Sequence, residues 1–152
     1  MPKPVSALVP PKTLRGIFCD IDDTLTVNGR LVPGVLDWMT EAQARGLAVV
    51  PITGRPGGWV DHIARAWPVD GVVGENGGLW FWVDSEGMKR HFAQSKKERI
   101  ENRRKLELLA DQIQLAVPGT ALASDQPYRE LDLAIDFCED VPALGNDAIN
   151  AT

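Results

Sequence analysis

The chain has 152 residues, 44% of them hydrophobic and 24% charged, with a formal net charge of -5. That composition suits one ordinary domain, or one domain plus the start of an inserted one, and excludes a disordered polar chain. The acidic balance argues against a nucleic-acid or anionic-membrane binder, and no stretch approaches the roughly 18 apolar residues of a membrane span.

Residues 1–13 read as a proline-rich tail without the apolar stretch of a signal peptide. Leu14 to Asp20 (LRGIFCD) is a short apolar run that ends in acids, as a buried parallel strand does on reaching its loop. Pro33 and Gly46 bracket a helix whose inward stripe is expected to hold Val35, Leu36, Trp38, Met39 and Ala42. Leu47 to Ile52 is a second strand, stopping at Thr53-Gly54-Arg55-Pro56. Val60, Ile63, Ala64 and Trp67 then recur at helical spacing, and Gly71 to Gly74 forms a third strand. Strand, helix, strand, helix, strand is the order of a parallel α/β sheet.

Beyond Gly77-Gly78 the pattern changes. Leu79 to Val83 and Met88 to Phe92 flank Asp84-Ser85-Glu86-Gly87 as an antiparallel hairpin, which makes Gly78 a domain boundary. Ser95 and Glu98 have capping-box spacing, and the helix they open carries Leu106, Leu109, Ala110 and Ile113 on one face before ending near Pro118-Gly119. Ala121 to Ser124 and Leu131 to Phe137 are strand candidates, and a last helix is expected from Pro142. Two cysteines, Cys19 and Cys138, are too few for a disulfide framework, so reduced thiols and a cytoplasmic location are expected.

Chemistry concentrates in Asp20-Ile21-Asp22-Asp23-Thr24-Leu25-Thr26. In an extended segment alternate side chains share a face, so Asp20 and Asp22 project together while Ile21 turns into the core. Paired carboxylates repel unless a cation or proton intervenes, and such oxygen ligands suit Mg²⁺. A carboxylate can also take a phosphoryl group while its neighbour moves protons. The second strand delivers Thr53 and Gly54 to the same sheet edge, where a hydroxyl and glycine-flanked amides can hold a phosphate. His62 and His91 lack a metal-spaced partner, and Lys96 to Lys105 mixes charges as a solvated helix face does. Trp80 and Trp82 are expected to pack against helices of the inserted part.

These three segments, the strand into DIDDTLT, the strand into ITGRP and the later Gly74-Glu75-Asn76-Gly77-Gly78, resemble the haloacid dehalogenase superfamily. The likeness is to its branch with a large cap inserted after the third core strand, which includes sugar phosphatases. It implies a Rossmann-like α/β core over 14–78 and a partial α+β cap over 79–152. It further implies Asp20 as nucleophile, Asp22 as general acid and base, and Thr53 with Gly54 at the phosphate. Mg²⁺ would be held by the Asp20 side chain and the Asp22 carbonyl, and the substrate would be a small phosphorylated metabolite, by preference a sugar phosphate. Asp23 stands where many relatives have glycine, and Glu75 and Asn76 border the site without a catalytic role.

Two parts of that pattern are not recognisable: a lysine between nucleophile and phosphate, and an acidic loop completing the metal site. Lys89, Lys96, Lys97 and Lys105 fall in the cap-like region, and Gly145-Asn146-Asp147 only faintly resembles the acidic loop. The expectation is a chain truncated within the cap. The alternative is a catalytically incomplete fragment or a non-catalytic module that binds metal or phosphate. A dinucleotide binder ranks third, since no G-x-G-x-x-G follows the first strand.

Overall fold

The computed structural model describes residues 13–146 and 148. The proline-rich segment through residue 12, Asp147 and the end of the last expected helix lie outside the described residues.

The first apolar run becomes strand β1 (Gly16–Asp20). A hairpin that sequence patterning overlooked comes next, β2 (Thr26–Val27) paired antiparallel with β3 (Arg30–Leu31). Its signal was present: Asn28 and Gly29 both have positive φ, at 51° and 71°, as an Asn-Gly type I′ turn requires. Helix α1 (Val35–Ala44), strand β4 (Ala48–Ile52), helix α2 (Gly57–Ala66) and strand β5 (Val72–Gly74) complete the alternating order. In α1 only Met39 and Ala42 of the expected stripe are buried, while Leu36 and Trp38 flank it in solvent. In α2 the expected Val60, Ile63 and Ala64 are all buried.

Strands β6 (Leu79–Asp84) and β7 (Gly87–Phe92) form the expected hairpin, but it does not leave the core. β6 pairs antiparallel with β5, and one five-stranded sheet runs in the order β1-β4-β5-β6-β7. Period-two alternation correctly identifies a strand and is silent about which sheet it joins; here Leu79 and Phe81 fall on the buried side of the existing core. The sheet therefore continues past the boundary expected at Gly78. Trp80 lies on the face opposite that core, in register with Val73, and stacks on His91 at 3.8 Å.

The capping box at Ser95 and Glu98 is present and opens α3 (Lys96–Ala116). Of its expected apolar face only Ala110 is fully buried, and Leu109 is exposed. After α3 comes a two-stranded sheet of β8 (Ala121–Leu122) and β9 (Ile135–Asp136). Both strands are shorter than the apolar runs that predicted them.

One core joins both helices to one face of the sheet: Met39 and Ala42 meet Val49, Val60, Ile63, Val72, Leu79 and Phe81. Strand partners in register share a face, so the opposite face carries the rows Phe18 with Val50, and Asp20 with Ile52, Val73 and Trp80. That face is partly open to water: Phe18 is 70% exposed, Ile52 38% and Trp80 38%.

Gly74 sits where α2 crosses β5. A Cβ there would overlap Val60 Cγ2 and stand 3.0 Å from Leu79 Cδ1. Gly74→Ala should therefore lower stability by about 1–3 kcal/mol through overpacking, read as a reduced denaturant midpoint at unchanged slope.

Candidate active site

Parallel pairing brings three strand ends to one edge. Asp20 is level with Ile52, and Ile52 with Val73, so the residues that follow each strand emerge side by side. After β1 the chain turns on the Ile21 carbonyl, which accepts from the backbone N–H of Thr24, Leu25 and Thr26 at 2.9–3.3 Å and from Thr26 Oγ1 at 3.2 Å. Ile21 is buried, as expected, and Asp22 is directed across the edge. Asp23 takes φ 57°, the left-handed region that aspartate tolerates better than most residues, which accounts for an acid where glycine is common.

Asp22 and the loop after β4 are in direct contact. Thr53 is buried, and its Oγ1 donates to Asp22 Oδ2 at 3.3 Å while accepting from the Arg55 backbone N–H at 3.0 Å. Arg55 grips the same carboxylate: Nε lies 3.1 Å from Oδ1 and 3.3 Å from Oδ2, and Nη2 lies 3.0 Å from Oδ1. The Asp22 hydrogen bonds hold the guanidinium even more firmly protonated than usual. The sequence motif assigns no role to Arg55; its spacing two residues after Thr53 is the available signal. Asp20 stands apart, exposed at the end of β1, and accepts from Thr24 Oγ1 at 3.3 Å.

The third strand end supplies the scaffold. Glu75, expected only to border the site, is 3% exposed, and its carboxylate accepts four backbone N–H groups. Gly57 and Glu130 donate to Oε1, both at 2.8 Å; Leu131 and Asp132 donate to Oε2 at 2.6 and 3.1 Å. Gly57 opens α2, so the negative charge also sits at the favourable end of a helix dipole. Glu75 and Asn76 both adopt positive φ, 46° and 56°, a strained conformation held by these bonds and by Glu75 N–H donating to Arg55 O at 3.1 Å. The same bonds explain why β9 is short: the amides of residues 130–132 turn to Glu75 and leave no ladder for a longer strand.

A cavity of about 450 Å³ opens between this edge and the 123–140 segment. Asp22, Gly54, Arg55 and Trp59 form one wall, and Asp125, Arg129, Asp136 and Glu139 belong to the other. Asp20 is not in its lining. Arg129, 9% exposed, donates to Asp125 at 3.1 Å, to Asp132 at 2.9 Å and to Gly54 O at 2.9 Å, stapling the two walls. Asp136 is buried and accepts from the N–H of Glu139, Cys138 and Asp140 at 2.7–2.9 Å. Those amides, Glu139 first, hold its carboxyl below the ordinary range. Its contribution to folding is thus present at neutral pH and is lost as pH falls through that lowered value.

For a metal, the edge offers the exposed carboxylate of Asp20 and the backbone carbonyl of Asp22. Among the described residues no group of three or more His, Cys, Asp or Glu side chains converges on one point. The Asp22 carboxylate itself is committed to Arg55 and Thr53. No described helix is long and apolar enough to cross a membrane.

The sequence profile of the haloacid dehalogenase-like hydrolases matches residues 17–110, more than half of the chain. No curated protein matches by sequence. Among solved structures, a Thermoplasma acidophilum protein superposes with a TM-score of 0.64 at 20% identity, over 90% of this chain and 54% of its own. A phosphatase-superfamily protein from Bacteroides thetaiotaomicron has 25% identity and a TM-score of 0.46 over 70% and 40%. A haloacid dehalogenase-like hydrolase from B. subtilis has 25% identity and a TM-score of 0.48 over 65% and 34%. The chain therefore spans about half, or less, of the length of these relatives.

Glu75→Gln keeps the size of the side chain but turns one acceptor oxygen into a donor facing backbone donors. It should cost about 2 kcal/mol or more of stability, measured by chemical denaturation, because buried amides lose their partner.

Proposed function

The chain belongs to the haloacid dehalogenase-like hydrolases, and on that premise we propose that it carries the phosphoryl-transfer half-site of a phosphate monoester hydrolase. An Asp20 oxygen attacks phosphorus, forming an aspartyl-phosphate as the bond to the leaving oxygen breaks, and Asp22 passes its proton to that oxygen. Asp22 then takes a proton from water, whose oxygen displaces Asp20 and frees orthophosphate. Thr53 and Gly54 hold the phosphoryl oxygens by hydroxyl and amide donors.

The observation that carries this reading is the Thr53 to Asp22 hydrogen bond at 3.3 Å, which unites two segments 31 residues apart at one sheet edge. The donors suit Mg²⁺, which binds through one or two protein oxygens and keeps several waters. The Asp20 carboxylate and Asp22 carbonyl would hold it, and when bound it supplies Lewis-acid polarisation of the phosphoryl group. The exposed indole of Trp59 and the Asp125 and Glu139 carboxylates around the cavity support a polyhydroxyl leaving group, consistent with a sugar phosphate. The free thiols of Cys19 and Cys138 support a reducing, cytoplasmic setting.

A second reading, a module that binds metal or phosphate without turnover, is favoured by one observation: no third acid joins Asp20 and Asp22 among the described residues. Phosphate release from an aryl phosphate, with and without Mg²⁺, separates the two. The catalytic reading expects Mg²⁺-dependent release that Asp20→Asn lowers by roughly a thousandfold or more, the loss of a covalent nucleophile. Release that persists in Asp20→Asn would eliminate the nucleophile assignment. Phosphate binding with no release at all would select the module.

A further inference from the structure

We propose that Arg55 is a cation that meets the transferring phosphoryl group, exchanging the Asp22 carboxylate for phosphate oxygens when substrate enters. The inference rests on the phosphatase reading above and adds a catalytic residue to it.

A phosphoryl group placed between Asp20 and Asp22 needs positive charge, because both neighbours are carboxylates. Among the described residues no lysine lies in the cavity wall, and its cations are Arg55 and Arg129. Arg129 is committed: it is 9% exposed and pairs with Asp125 and Asp132 as well as Gly54 O. Arg55 is not locked in this way. Its side chain is 32% exposed, its guanidinium carbon lies 5.6 Å over the Trp59 ring, and its nearest second acid, Asp125, is 3.9 Å away, beyond hydrogen-bond reach.

The present pairing is also incompatible with Asp22 acting on a leaving oxygen. Both Asp22 oxygens are occupied, Oδ1 by Arg55 and Oδ2 by Arg55 and Thr53. Release is therefore required, and phosphate offers the acceptor geometry that makes it inexpensive. Its oxygens take the same parallel N–H fork as a carboxylate, so the guanidinium stays paired throughout and is never stranded without a partner. One exchange then frees Asp22 and neutralises the phosphoryl charge.

The test is binding of inorganic phosphate in the presence of magnesium chloride, measured by titration calorimetry on the full chain. Arg55→Ala should weaken binding by roughly tenfold or more, and Arg55→Lys, which keeps charge but loses the fork, by a smaller factor. The same Arg55→Ala change made in an Asp22→Asn background distinguishes contact from screening. A penalty that persists there supports direct contact with phosphate, whereas a penalty that vanishes means Arg55 only offsets Asp22, and overturns the proposal. Should Arg55→Ala fail to fold, Arg55→Lys decides, and unchanged affinity in it overturns the proposal. No phosphate binding by the unaltered chain would overturn the phosphatase reading as well; binding that ignores Arg55 overturns this inference alone.

Discussion

A buried carboxylate is costly unless its lone pairs are filled, and the Glu75 carboxylate fills them with four backbone amides from two distant parts of the chain. Most of the candidate site depends on that arrangement. The Gly57 bond fixes where α2 begins, and so fixes the loop that presents Thr53 and Arg55. The other three bonds hold residues 130–132 against the core and thereby set one wall of the cavity. Because an ionised carboxylate accepts without donating, no neutral side chain of the same size can replace it in this role.

At the mouth of the site the same economy is met with opposite charges. Asp22, Arg55, Asp125, Arg129 and Asp132 alternate in sign from the core edge to the 123–132 segment. The two arginines differ in freedom. Arg129 is buried with its fork filled and acts as a fixed strut, while Arg55 is partly open to water and holds a single carboxylate. Burial decides which of the two can change partners.

Much of this was legible in the sequence because apolar runs end abruptly in polar motifs. β1, β4 and β5 follow that rule, and with them the edge where Asp22 meets Thr53; Asp20, expected to project beside Asp22, instead stands apart at the end of β1. What was not legible depends on long-range pairing. Nothing local to Glu75 announces amides 55 to 57 residues away, and their capture is what cut short the strand expected from Leu131. Leu79 to Phe92 announces a hairpin, but joining β5 is a property of the assembled sheet. Leu36 and Trp38 show the limit of helical periodicity, which counts apolar positions without knowing how wide a stripe the sheet can cover. Asn28-Gly29, by contrast, was a local signal and could have been read.

The sheet's second face has a thermodynamic consequence. Phe18 remains largely hydrated in the folded chain and Ile52 and Trp80 partly so, and unfolding adds less new apolar contact with water at those positions than in the core. Heat-capacity change and denaturant sensitivity both scale with surface newly exposed. A sheet whose second face is only partly covered therefore unfolds with a smaller heat-capacity increment than a fully sandwiched sheet of equal length. Its stability curve is correspondingly flatter in temperature, and its urea transition broader.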